Sequence, residues 1–170
     1  MELRFAALLV FLAVLSAPTK AADTHFRGIT CKSDVVKVMQ GRSFPDEPAS
    51  ATEAKHRDIN LESLGDFSIE TNNDPLKLSS WLVCGREYIL LEKKGVVKDV
   101  LASPFPSAEP QSEISACLID GKQSSDPLVW FSLDQSKEKT KSVSQAWMVD
   151  ERKIKFVKLL SKTIQCESTR

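Results

Sequence analysis

The sequence predicts an α+β domain in which one N-terminal helix packs on a twisted antiparallel β-sheet held by two disulfides. Three observations carry this expectation. One short amphipathic segment with helix start and stop signals comes first, apolar runs of four to eight residues separated by turn residues follow, and four cysteines lie behind an export-type leader. The 170 residues, 42% hydrophobic and 27% charged, are an ordinary mixture for one globular domain, which excludes disorder, collagen and coiled coil as descriptions of the whole chain. Lys plus Arg and Asp plus Glu each number 23, so no net field draws the molecule as a whole to nucleic acid or anionic lipid.

Glu2 and Arg4 precede an apolar run over residues 5–15, and Ser16, Ala17, Pro18, Thr19, Lys20 and Ala21 follow. The run is shorter than the roughly 20 residues of a membrane span, and Thr19 and Ala21 are small residues at the spacing signal peptidase reads. Residues 1–21 are therefore expected to be a signal peptide, and residues 22–170 a single disulfide-stapled domain of a secreted, extracellular protein. No later stretch is long and apolar enough to span a bilayer.

Secretion favours disulfides over free thiols. Cys31, Cys84, Cys117 and Cys166 allow three connectivities. Chain entropy favours Cys31 with Cys166, because tying the two ends together removes the largest loop, on the order of 5 kcal/mol; Cys84 with Cys117 then closes a loop worth roughly 3 to 4 kcal/mol. Zinc is disfavoured, since it needs close ligand pairs, whereas the nearest cysteines, 84 and 117, are 33 positions apart and the chain has two histidines. No metal or other cofactor is expected.

Ser33 and Asp34 are good N-cap residues ahead of Val35, Val36, Val38 and Met39, and Gly41 stands where a helix of about two turns would end. Residues 42–60 carry Pro45 and Pro48 among small polar residues and read as a long surface loop, with a helical turn over residues 51–56. Strands are expected at residues 67–69, 76–84, 88–91 and 96–101, with Gly85 and Lys94-Gly95 marking hairpin turns. Residues 103–110 hold Pro104, Pro106 and Pro110 and form a loop. Further strands are expected at 114–119, 128–133, 145–149 and 153–160, with a turn at Asp120-Gly121 and a polar exposed loop over 135–142. A helix over 154–160 competes with the last strand. Between Asp46 and Asp74 there are eight acidic residues against two basic, and between Lys137 and Arg170 nine basic against four acidic, so the ends carry opposite fields.

The chain lacks the P-loop, nucleophile-elbow, H-E-x-x-H and calcium-loop patterns. Histidine chemistry can draw only on His25, at the start of the mature chain, and His56. The segment His56-Arg57-Asp58-Ile59-Asn60-Leu61-Glu62-Ser63-Leu64, with Asp66-Phe67-Ser68 beyond it, resembles part of the small secreted fungal ribonucleases of the T1/N1 type. The order of elements and the placement of Cys31 and Cys166 are also similar in outline. The sequence looks like the ribonuclease-like effectors that powdery mildews secrete toward their hosts.

That resemblance implies a ribonuclease-like fold, a Cys31–Cys166 tie, and a host protein or RNA as partner for a monomer. It also implies lost catalysis. The family uses a Glu base, histidines and an arginine, the division of labour for proton transfer with electrostatic stabilisation. Here Asp74 is the best match to the base, Glu113-Ile114-Ser115 stands in place of the Asp-Arg-Val motif, and no Thr-His follows Trp130-Phe131. A pseudoenzyme is expected, with no catalytic residue and with His56, Arg57, Trp81, Arg86 and Tyr88 as candidate binding residues. Trp130 and Trp147 read as core, while Trp81, beside Ser79 and Ser80, divides between core and base stacking. The loops over 42–55 and 104–110 are candidate partner contacts. The alternatives are an extracellular β-rich binding or structural protein unrelated to ribonucleases, and an active secreted ribonuclease.

Overall fold

The computed structural model describes residues 26–44, 47–71, 74–105, 112–132, 139–143, 145–160 and 163–168. The expected leader, His25, residues 106–110 of the proline-rich loop, the last residue of the expected strand 128–133 and residues 135–138 of the polar loop lie outside them. Asp34 caps α1 (Val35–Met39), its side chain accepting from the Lys37 N–H, and Gly41 follows at φ +81°, in the left-handed region that glycine occupies without strain. The Gly41 N–H donates to Val97 O and the Phe44 N–H to Gly95 O, which lays residues 41–44 along the edge of the first sheet. The expected turn at 51–56 is a helix, α2 (Ala49–Lys55), and a 3-10 turn (Arg57–Ile59) leads out of it.

Sheet I is a meander of β1 (Glu62–Ile69), β2 (Leu76–Val83), β3 (Arg86–Lys93) and β4 (Val96–Ala102), in that spatial order. Its two tight turns, Cys84-Gly85 and Lys94-Gly95, have positive φ at both central residues, the primed geometry that matches strand twist. Sheet II combines β5 (Ser112–Ser115), β8 (Leu128–Phe131), β10 (Gln145–Asp150) and β11 (Lys155–Lys158) in the order β11-β10-β8-β5. Sheet III holds β6 (Cys117–Ile119), β7 (Lys122–Gln123), β9 (Thr140–Ser142) and β12 (Ile164–Glu167) in the order β7-β6-β12-β9. All strand pairs are antiparallel.

The protein is thus mostly β, with antiparallel sheets and two disulfides, and the expected single helix across one sheet is not the arrangement. The run expected as one strand over 114–119 breaks at Ala116, delivering β5 to sheet II and β6 to sheet III. Residues 140–142, expected in a loop, pair with β12 instead. The helical alternative at 154–160 is not adopted, because Phe156 and Val157 pair with Val149 and Met148.

Sheet I is covered on both sides. Trp81, Val83, Tyr88, Leu90, Val97 and Val100 face Phe26, Ile29, Val35, Met39 and Ile59 of the helical layer. Leu76, Leu78, Ile89, Leu91 and Leu101 face Val129, Phe131 and Val149 of sheet II. The other face of sheet II, through Leu128, Trp130 and Ala146, packs on Ile164 and the Cys117–Cys166 pair. Among the described residues no helix is long and apolar enough to cross a membrane.

The disulfides join Cys31 to Cys84 and Cys117 to Cys166, which corrects the expected Cys31–Cys166 and Cys84–Cys117 pairing. Cys117 and Cys166 are opposite one another on paired strands, with Cα atoms 4.3 Å apart, the separation of a non-hydrogen-bonded antiparallel pair. Strand adjacency decides this. Loop entropy grows only with the logarithm of loop length, so the two pairings differ by less than about 1 kcal/mol on that account.

Glu87 is 1% exposed and stitches sheet I to sheet II. Its carboxylate accepts from the Ser80 hydroxyl at 2.9 Å, from the Ser112 N–H at 3.2 Å and from the Ser112 hydroxyl. Peptide mapping without reduction is expected to recover Cys31 with Cys84 and Cys117 with Cys166, and removing either bridge is expected to cost about 4 kcal/mol; a Cys31–Cys166 peptide would refute the strand order. Replacing Glu87 by Ala removes the acceptor of the part-buried Ser80 hydroxyl and of the N–H and hydroxyl of the buried Ser112. It is expected to cost about 3 kcal/mol, read from the urea midpoint, and a change below about 0.5 kcal/mol would show that the stitch carries no stability.

Candidate functional site

The helical layer leaves one end of sheet I open. There Asp66 of β1, Lys77, Ser79 and Trp81 of β2 and Glu92 of β3 form the floor of a cleft of about 230 Å³. Phe44, Glu47, Ala49, Thr52, Pro75, Lys94 and Gly95 form its walls. Cross-strand register explains the floor: Ser79 is opposite Leu90, and Trp81 is opposite Tyr88, so these side chains share the face that meets the helical layer.

Asp66 reaches that face because of a bulge. Ser63 is opposite Trp81, but Gly65 is opposite Ser80, so Asp66 falls opposite Ser79. Without the extra residue it would meet Leu78 and point toward sheet II, since a one-residue shift exchanges the two faces. A second bulge, between Leu91 and Glu92 in the pairing with β4, lies at the same end. Gly95 has φ +68°, and a Cβ there would meet Phe44 O at 3.0 Å, so glycine is what lets Phe44 close over the cleft.

The charges of the lining are paired. Lys77 Nζ lies 2.9 Å from Asp66 Oδ2, and Lys94 Nζ 3.2 Å from Asp74 Oδ2. Glu47 accepts from Thr52 Oγ1 at 2.8 Å and from Lys55 Nζ at 2.7 Å. Glu92, 3% exposed, accepts from Ser79 Oγ at 2.5 Å. Burial pushes its carboxyl above the ordinary 4.5, against the Ser79 hydrogen bond and Lys77, which lower it. Trp81 is 4% exposed, and its indole N–H has no hydrogen-bond acceptor. Trp130, by contrast, donates its N–H to Ser115 Oγ at 2.9 Å.

The sequence-derived candidates are not brought to one place. His56 joins α2 to the 3-10 turn, edge-on to Phe26 at 6.0 Å, and desolvation lowers its imidazole below the ordinary 6.5, with Asp58 opposing. Arg57 is exposed beside it. Arg86 donates to Ser103 O at 2.8 Å and lies over the buried Tyr88 ring at 5.8 Å. Trp81 and Tyr88 are both buried and present no open ring face to solvent. Asp74, the residue expected as the best match to a ribonuclease base, is held by Lys94.

Of these candidates only Trp81 lines the cleft; Phe44, Glu47, Ala49 and Thr52 come from the loop over 42–55 expected to meet a partner, and Glu92, Ser79 and Asp66 were not anticipated. One signal was present. In Arg86-Glu87-Tyr88-Ile89-Leu90-Leu91-Glu92 every residue after the first is buried, so each Glu sits in a strand with no solvent face and must have a partner. Among the described residues no group of three or more His, Cys, Asp or Glu side chains is placed to hold a metal ion. No family model, no curated protein and no solved structure matches this chain.

The two shifted groups have opposite consequences for stability. Glu92 binds its proton more tightly in the folded state, so its contribution is whole below pH 4.5 and is lost as pH rises through the folded value. His56 binds its proton less tightly when folded, so its contribution is whole above pH 6.5 and is lost as pH falls. Replacing Glu92 by Gln removes the first effect alone. The melting temperature of that variant, relative to the parent, is expected to rise as the pH is raised above 4.5; a difference that stays flat would mean that burial does not raise the Glu92 carboxyl.

Proposed function

We propose that this chain is a secreted, disulfide-stapled, effector-like protein that acts by binding a partner outside the producing cell rather than by turnover. The observation that carries the proposal is the closure of all four cysteines into two bridges. Two such bridges suit an oxidising compartment, and they agree with the leader expected over residues 1–21. Absence of turnover is supported by the state of the ionisable groups. Asp66, Asp74 and Glu47 are neutralised by lysines, and His56 is a separate group that packs on Phe26.

The β-rich reading without a ribonuclease ancestry is favoured over the ribonuclease-like one. The resemblance leaned on a tie between Cys31 and Cys166, and Cys31 is joined to Cys84. A ribonuclease-like effector acting on a host protein or RNA retains in its favour only the short opening helix and the segment around His56.

Two measurements test the proposal. Protein recovered from the culture medium is expected to begin at Ala22 and to contain no alkylatable thiol; recovery of an uncleaved chain with four free thiols from the cytosol would refute secretion. Incubation with single-stranded RNA is expected to give no cleavage above background. Cleavage that disappears in the His56→Ala variant would establish an active ribonuclease instead.

A further inference from the structure

The geometry points to the cleft over Trp81 as a binding site for one uncharged, hydroxyl-rich ring, the size of a single sugar unit. This deepens the proposed function and rests on it: the cleft becomes the place where the secreted protein meets its partner, and a glycan becomes the partner's chemistry.

Four features lead to that class of ligand. The first is size. At about 230 Å³ the cleft is below the roughly 300–1,000 Å³ of sites that enclose drug-sized molecules, so one ring fits and a nucleotide does not. The second is charge. The lining carries Glu47, Asp66 and Glu92, with Asp74 beside them, against Lys77 and Lys94, with Lys55 and Lys93 beside them, and each ion pair joins a lysine to a carboxylate. Four carboxylates therefore face four lysines, and no formal net charge remains to select an anion or a cation.

The third feature is the supply of hydrogen bonds. The Trp81 indole N–H is buried without an acceptor, a state that costs on the order of 1–3 kcal/mol; the atom has no open surface, so a small shift of the ring is what would bring it to an incoming acceptor. Glu92 Oε1 is engaged by Ser79, and a carboxyl group has further acceptor capacity on its second oxygen. Thr52, Ser79, Lys77 and Asp66 add donors and acceptors around the same space. A hydroxyl both donates and accepts, so a ring carrying several can satisfy such a mixed lining, whereas a hydrocarbon would strand it. The fourth feature is the apolar wall. Phe44, held over the cleft through Gly95, packs at 6.3 Å from Trp81 and offers an aromatic surface for the C–H face of a sugar.

The test uses the full disulfide-bonded chain and the indole N–H signals of its three tryptophans in a nitrogen–proton correlation spectrum. The signal missing from a Trp81→Phe variant identifies the Trp81 donor. Methyl glucoside, methyl mannoside, methyl galactoside and N-acetylglucosamine are titrated to about 50 mM, covering the millimolar range expected of a single sugar; glucuronate and ethanolamine serve as charged controls. At least one neutral sugar is expected to shift that signal saturably, with the charged probes at least about tenfold weaker. Trp81→Phe, followed through the Phe44 and Gly95 amide signals, is expected to weaken binding about tenfold. Phe44→Leu, which keeps bulk but not the ring, covers the case in which the Trp81 variant fails to fold, and is expected to weaken binding by a similar factor. No saturable shift with any neutral sugar, or stronger binding of glucuronate or ethanolamine, would overturn the inference. Either result would leave the secretion and RNA measurements standing on their own.

Discussion

Strand β3 is buried on both of its faces, and most of the molecule follows from that constraint. From Glu87 to Glu92 each residue is within 8% of full burial, with Ile89, Leu90 and Leu91 fully so. Each fully buried aliphatic chain of this size contributes about 1.5–3 kcal/mol, and alternation sends Ile89 and Leu91 to sheet II and Leu90 to the helical layer. The same alternation sends the two carboxyl groups to opposite faces. Burying an unpaired charge is costly, so serines stand where each needs them: Ser80 and Ser112 at Glu87, Ser79 at Glu92. One of these carboxyls closes the contact between sheets, and the other lies on the floor of the cleft.

The disulfides divide the labour differently. Cys31–Cys84 pins the helical layer to the β2–β3 turn, and Cys117–Cys166 pins β6 to β12 inside sheet III. Neither crosses from sheet I to sheet II. That junction is held by the apolar cluster around Ile89 and Phe131, by Glu87 with Ser112, and by Asp99, whose carboxylate accepts from the Phe156 N–H at 2.9 Å.

The cleft lies between one end of sheet I and the segment from Phe44 to Thr52 of the helical layer. Strands β2 and β3 have eight residues each, a length of roughly 26 Å at about 3.3 Å per residue. Helix α2 has seven residues and α1 five, about 10 and 8 Å at 1.5 Å per residue. The uncovered end of the face is where polar residues occur in strand positions that otherwise carry apolar side chains. Two bulges and a glycine contact then arrange Asp66 and Phe44 around it.

Local signals in the chain sufficed for α1, with its Asp34 cap and Gly41 stop, for the two hairpins of sheet I, and for the Asp120-Gly121 turn, because each depends on the backbone preferences of a few adjacent residues. The antiparallel, β-rich character and the presence of two bridges were legible for the same reason: alternation and cysteine number are properties of the chain alone. The strand order was not, and with it went the pairing of Cys31 with Cys84, the split of 114–119 between two sheets and the recruitment of residues 140–142. Trp81 could be named as a candidate, but its neighbours Glu92, Ser79 and Asp66 come from three strands and meet only through register and a bulge. Which distant segments lie side by side depends on the free energy of the whole packed core, a quantity that no stretch of a dozen residues contains.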